Sequence, residues 1–112
     1  MADLRNGVST VSGLTASTTQ TQAGANALDP GILSHRVTTV ASAGDAVRLP
    51  PAKEGRVLFV VNAAAANAMG VFPASNDAIN ALAADAVYSV AANKAVVFVC
   101  TNAGRWHTIL TA

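Results

Sequence analysis

From His35 to Leu110 the chain is a succession of short runs rich in β-branched residues, each closed by a turn signal, and this rhythm constrains the fold more than any single residue does. The runs are HRVTTVA, DAVRLP, RVLFVVN, AMGVFP, AVYSVA, AVVFVCT and RWHTIL, with turn-like clusters at PPAKEG, PASND, AANK and TNAG. Val, Ile, Thr and aromatic residues suit a pleated surface, and turn signals about 8–12 residues apart are the spacing of a sandwich or barrel. DAVRLP and AVYSVA alternate with period two, as strands with one wet face do. RVLFVVN and AVVFVCT are continuous apolar runs, typical of strands buried on both faces. The expectation is an all-β fold, an antiparallel β-sandwich or barrel over residues 35–112, with Val57, Phe59, Val61, Phe72, Val97, Phe98 and Trp106 in its core. One segment competes: NDAINALAADAVY is alanine-rich, so a short helix over Asp77 to Ala84 with Asn76 or Asp77 as its N-cap is an alternative. Strand or turn ranks above helix there because VYSV follows at once.

Ahead of this part, residues 1–34 have a different texture. NGVSTVSGLTASTTQTQAGANALDPG is rich in Ser, Thr, Gln, Gly and Ala, and such a segment cannot assemble a core of its own. Asp3, Arg5 and Asp29 are its charged residues, too few for a solvated tail. The expectation is an extended N-terminal arm that becomes ordered against a neighbour, ending at the DPG turn, with Leu4, Val8, Val11, Leu14 and Leu28 as its apolar anchors for a partner.

Composition narrows the function classes. The 112 residues suit one domain, and the 52% of apolar residues is mostly Ala and Val, with only 4% aromatic. Small side chains bury little area at about 25 cal/mol per Å², so the core is thin and association would add to it. Only 12% of residues are charged, against roughly 25% in ordinary soluble domains. The basic residues are scattered singly, without the stripe and interleaved aromatics of a nucleic-acid binder. Cys100 is the single cysteine, which excludes an intrachain disulfide and paired-cysteine zinc sites. MADLRNGVST lacks the pattern of a signal peptide, and no apolar run is long enough for a membrane span.

VFPASNDAIN places Ser75, Asn76, Asp77 and Asn80 between two apolar runs and invites a catalytic reading. A serine nucleophile needs a base and an orienting group; the imidazoles are His35 and His107, and no G-x-S-x-G elbow surrounds Ser75. A tight turn after Pro73 is the expectation for this stretch. His35 and His107 lie at opposite ends of the compact part without a close second ligand, so no metal site is expected. Asp45, Asp77 and Asp85 could pair as catalytic carboxylates only through fold contact, and solvated loop residues are the simpler expectation. NAAAANAMG lacks the glycines and the Lys-Ser/Thr of a phosphate loop. Cys100, inside VVFVC, is expected to be a buried inert thiol. Trp106 is expected as a core or interface anchor, with a shallow glycan site of Trp106, Arg105 and Tyr88 as the competing use. No catalytic residue, metal or cofactor is expected.

As a whole, residues 35–110 resemble a recurring module of tailed-bacteriophage virion proteins. The marks are a strand ending in VRLP, the strand G-R-V-x-x-V-x-N, the pair VFPAS and AINAL, and a last strand with FVCT followed by G-x-W. Glycine is common in that pattern where this chain carries Ala64 and Asn76, which implies turns of slightly different shape. The resemblance implies a structural part of the particle and carries no catalytic residues across. Within that class the expectation is a capsid decoration, or cement, protein. It would bind the outer surface of the major capsid protein lattice, stabilise the head and, by analogy with the family, close into a homotrimer. It would sit on the virion surface after synthesis in the bacterial host cytoplasm, with no nucleic-acid or membrane partner. The alternatives are a head-fibre, tail-fibre or tail-adaptor component, or a glycan- or receptor-binding module of the virion. A fibre protein is expected to show a shaft or repeats, and the sequence shows no internal repeat.

Overall fold

A computed structural model describes residues 9–110. They form ten strands and no helix: β1 (Thr10–Thr15), β2 (Asn26–Ala27), β3 (Ser34–Thr39), β4 (Ala46–Arg48), β5 (Val57–Asn62), β6 (Met69–Phe72), β7 (Ala78–Ile79), β8 (Tyr88–Val90), β9 (Lys94–Asn102) and β10 (Arg105–Leu110). Sheet A has six strands in the order β1-β3-β5-β9-β10-β7, and sheet B has four in the order β2-β4-β6-β8. The all-β expectation holds, and the alanine-rich stretch after Asn76 is β7 followed by turns.

The path differs from an antiparallel sandwich or barrel. From β1 to β6 the chain alternates between the sheets, so β1, β3 and β5 run parallel in sheet A while β2, β4 and β6 run parallel in sheet B. Each winding advances about 24 residues, from Thr10 to its partner Ser34, from Ser34 to Phe59, and from Ala46 to Gly70. This is solenoid-like stacking, closed by antiparallel returns of β8 on β6 and of β9 on β5. Turn residues mark where a chain changes direction without saying whether it reverses into a hairpin or crosses to a second sheet, hence the antiparallel expectation. The structural repeat is also silent in sequence: Val11, His35 and Val60 occupy the same place in successive windings, and a histidine standing between two valines leaves no repeated pattern to read.

Residues 10–33 are not an extended arm. β1 pairs along β3, β2 pairs along β4, and Ala16 and Leu28 belong to the same buried cluster as Val47, Val60, Phe98 and Trp106. Val11 and Leu14 are half-buried, and Leu14 packs against that cluster. Leu4 and Val8, the other expected anchors, lie outside the described residues. The polar texture of the segment is used in hydrogen bonds: Gln20 Nε2 donates to the Ala43 carbonyl and Asp45 Oδ1, and Gln22 Nε2 donates to the Pro73 carbonyl and Asp85 Oδ1. Polar side chains that satisfy a neighbouring winding's backbone let a segment with few large apolar residues join a core.

The inward faces of both sheets make one core. Val37, Leu58, Val60, Val96, Phe98, Cys100 and Trp106 from sheet A meet Val47, Met69, Val71 and Val90 from sheet B. Asn62, fully buried at the end of β5, is satisfied by donating to the Asn67 and Val90 carbonyls and accepting from the Ala64 N–H. Asn67, at φ 78°, in turn donates to the Val40 and Ala41 carbonyls of the winding before it. Asn tolerates the left-handed region better than other side chains, and here its amide also locks one corner to the next.

Candidate functional site

The period-two geometry of a strand sends alternate side chains to opposite faces. In β5 this buries Leu58, Val60 and Asn62 and turns Val57, Phe59 and Val61 outward; in β9 it buries Val96, Phe98 and Cys100 and turns Ala95, Val97 and Val99 outward. The register aligns the outward residues in rows: Val57 with Val99, Phe59 with Val97, and Val61 with Ala95. β10 extends them, His107 beside Val99 and Ile109 beside Val97, and β3 adds Ser34 beside Phe59 and Arg36 beside Val61. Val57 is 37% exposed, Phe59 41% and Ile109 63%, so the centre of a six-stranded sheet presents an apolar surface to solvent. A contiguous apolar patch on a folded surface marks an interaction site more often than scattered single residues do.

This face revises the expected core. Phe98 and Trp106 are fully buried, but Val57 and Phe59 stand on the outer face, and Val61, Phe72 and Val97 are only half-buried. The continuous run RVLFVVN suggested two covered faces, whereas in the structure one is covered by sheet B and the other by nothing in the described chain.

The stretch that suggested a reactive serine is a corner. Ser75 and Asn76 form a turn with Asn76 at φ 72°, and the Asp77 N–H donates to the Ala74 carbonyl. Asp77 Oδ2 accepts from the Ala52 N–H at 2.8 Å, and Asp85 Oδ1 accepts from the Asn76 N–H at 2.7 Å. Asn80 clamps β10 from both sides of its amide: Oδ1 accepts from the Thr108 N–H and Nδ2 donates to Thr108 Oγ1. The three carboxylates considered as a catalytic set are separately employed, Asp45 accepting from the Ser42 N–H and from Gln20. The Asp85 carboxyl is held below the usual carboxylate range by the Gln22 amide and then by the Asn76 N–H.

The histidines are apart. His107 is exposed on β10, while His35 is buried on β3 with Nε2 at 3.1 Å from the Asp29 carbonyl. A carbonyl only accepts, so Nε2 donates the proton there, while Nδ1 has no partner at hydrogen-bonding distance among the described residues, and the Phe59 backbone acts on the ring more weakly than Asp29 does. Burial lowers the His35 pKa, because a second proton would place a charge in the core. Among the described residues no group of three or more His, Cys, Asp or Glu side chains could hold a metal ion. Cys100 is buried and its thiol donates to the Asn102 carbonyl.

Trp106 makes an edge contact with Phe98 at 6.3 Å, and Phe98 a second with Tyr88 at 5.9 Å. Trp106 is the expected core anchor, and with no exposed ring surface it cannot stack on a sugar, which takes it out of the competing glycan site with Arg105 and Tyr88. Sheet B carries a shallow groove of about 220 Å³ where residues 17–25 cross it, lined by Gln20, Gly44, Gly70, Phe72, Val87 and Ser89. Its lining is uncharged, and the Ser89 hydroxyl has no acid or base beside it in that lining.

Sequence reasoning missed the outer face of sheet A. The available signal was that β5 and β9 are apolar at both parities while the neighbouring β3 and β10 place Arg36 and His107 at their outward positions. No family model, curated protein or solved structure matches the chain.

Proposed function

We propose that the chain is a non-catalytic structural module of a tailed-bacteriophage particle that docks on a protein surface through the outer face of sheet A. In its specific form it is a decoration protein on the major capsid protein lattice, present as a homotrimer. The observation that carries the docking part is the solvent-facing block of Val57, Phe59, Val61, Val97, Val99 and Ile109 at the centre of the sheet. The phage part rests on the resemblance of residues 35–110 to virion modules. A low charge of 12% fits a protein that spends its working life covered.

A second reading has one specific observation in its favour. A fibre or tail component is expected to carry a repeating shaft, and the windings of about 24 residues are a repeat of geometry if not of residues. Copy number per particle separates the two. Quantitative mass spectrometry of purified virions is expected to give hundreds of copies for a decoration protein; a few to a few dozen would move the chain to the tail or head fibre.

A further inference from the structure

The outer face of sheet A has a chemistry that selects among partners. Its centre is apolar, and its charged or chargeable neighbours are Arg36 beside Val61 and His107 beside Val99. The six strands of sheet A contain Arg36, Lys94 and Arg105 and not one Asp or Glu. The carboxylates of the described residues, Asp29, Asp45, Glu54, Asp77 and Asp85, all lie in the connections. Glu54, in the turn ahead of Val57, is set between Lys53 and Arg56. Asp77 and Asp85 are turned to backbone N–H groups, and Asp45 is buried, accepting from the Ser42 N–H and the Gln20 amide.

We propose that this face receives a different protein whose surface is apolar at its centre and acidic at its margin, and that it does not receive a second copy of itself. An isologous pairing sets the same patch against itself, so Arg36 would meet a face with no carboxylate to receive it. Like charges brought together discriminate against such a pair, whereas carboxylates flanking an apolar strand or ridge would satisfy Arg36 at the rim while Phe59, Val97 and Ile109 are covered. The inference rests on sheet A being the docking face and names the chemistry of what docks there.

The test uses two strand-forming peptides of equal length, one alternating valine with glutamate and one alternating valine with lysine, titrated into the full chain and followed by nuclear magnetic resonance. The glutamate peptide is expected to bind roughly tenfold or more tightly than the lysine peptide, to weaken with added salt, and to shift the signals of Phe59, Val97 and Ile109. Arg36→Glu is expected to remove the preference, and circular dichroism checks that this exposed substitution leaves the fold unchanged. Equal or tighter binding of the lysine peptide, binding of neither, or signal shifts confined to other surfaces would overturn the inference. So would self-association of the wild-type chain that is abolished by Ile109→Ser in sedimentation velocity. A parallel arm keeps the functional reading separate by pelleting the chain with purified capsids. Equal pelleting of wild type and Arg36→Glu overturns the acidic-margin chemistry and leaves capsid docking in place. Failure of the wild type to pellet, with the peptide preference intact, overturns the capsid reading and supports the inference.

Discussion

Phe59 and Val97 are direct partners across β5 and β9, and both point away from the core that their immediate neighbours Leu58 and Phe98 fill. The same two strands thus carry the interior on one face and an apolar exterior on the other. Stability and docking should therefore separate by parity. Leu58→Ala is expected to cost about 2–5 kcal/mol in urea denaturation, as large-to-small changes in a packed core do. Phe59→Thr keeps a β-former at an exposed site and is expected to cost less than about 1 kcal/mol. Comparable losses for the two would mean that the outer face is part of the folding core.

Asn62 is the buried polar group on which one corner of the stack depends. Replacing it with alanine strands the Val90 and Asn67 carbonyls and the Ala64 N–H that its amide serves. Each unsatisfied buried group costs about 1–3 kcal/mol, so Asn62→Ala is expected to lose at least that much stability. Hydrogen exchange should speed up first at Ala64 and around Asn67.

His35 predicts a dependence of stability on pH. Its pKa is lowered in the folded protein by burial, so below the ordinary value near 6.5 the unfolded chain takes up a proton that the folded chain resists. The contribution is complete above that pH and declines as pH falls through 6.5 toward the lowered folded value. Denaturation midpoints measured from pH 7.5 down to 5 are expected to fall, and to fall less in His35→Gln. Equal slopes in the two proteins would assign the dependence to another group.

Gln22 and Asp85 tie the segment across sheet B to the loop after β7. The Asp85 carboxyl is held below its usual range by Gln22 and by the Asn76 N–H, so the tie is present above about pH 3.8 and weakens as the carboxyl protonates below that. Asp85→Ala is expected to speed exchange of the Asn76 N–H at neutral pH and to expose residues 17–25 to limited proteolysis, while global unfolding changes little.

How much of this was legible follows from where the information sits. The positions of β3 to β6 and β8 to β10 were readable because β-branched composition and turn residues act locally, and the turn at Ser75 and Asn76 was readable for the same reason. The winding path was not, since whether a strand pairs with its neighbour in sequence or with one about 24 residues away is decided by contacts between windings. Residues 10–33 looked like an arm because their large apolar side chains are few, yet Ala16, Ala25 and Leu28 suffice once Gln20 and Gln22 bond across the stack. Phe59 was placed in the core because a continuous apolar run looks the same whether its second face is covered within the chain or by a partner.

Co-sedimentation of purified capsids with the wild-type chain and with the Phe59→Thr/Ile109→Ser double variant tests the docking claim most directly. The account predicts near-lattice stoichiometry for the wild type and, with the fold intact by circular dichroism, a loss of about tenfold or more in affinity for the variant, since removing central apolar anchors costs over 1 kcal/mol each at typical interfaces. Wild-type and variant chains that pellet equally would contradict it, because the face at the centre of sheet A would then play no part in binding the shell.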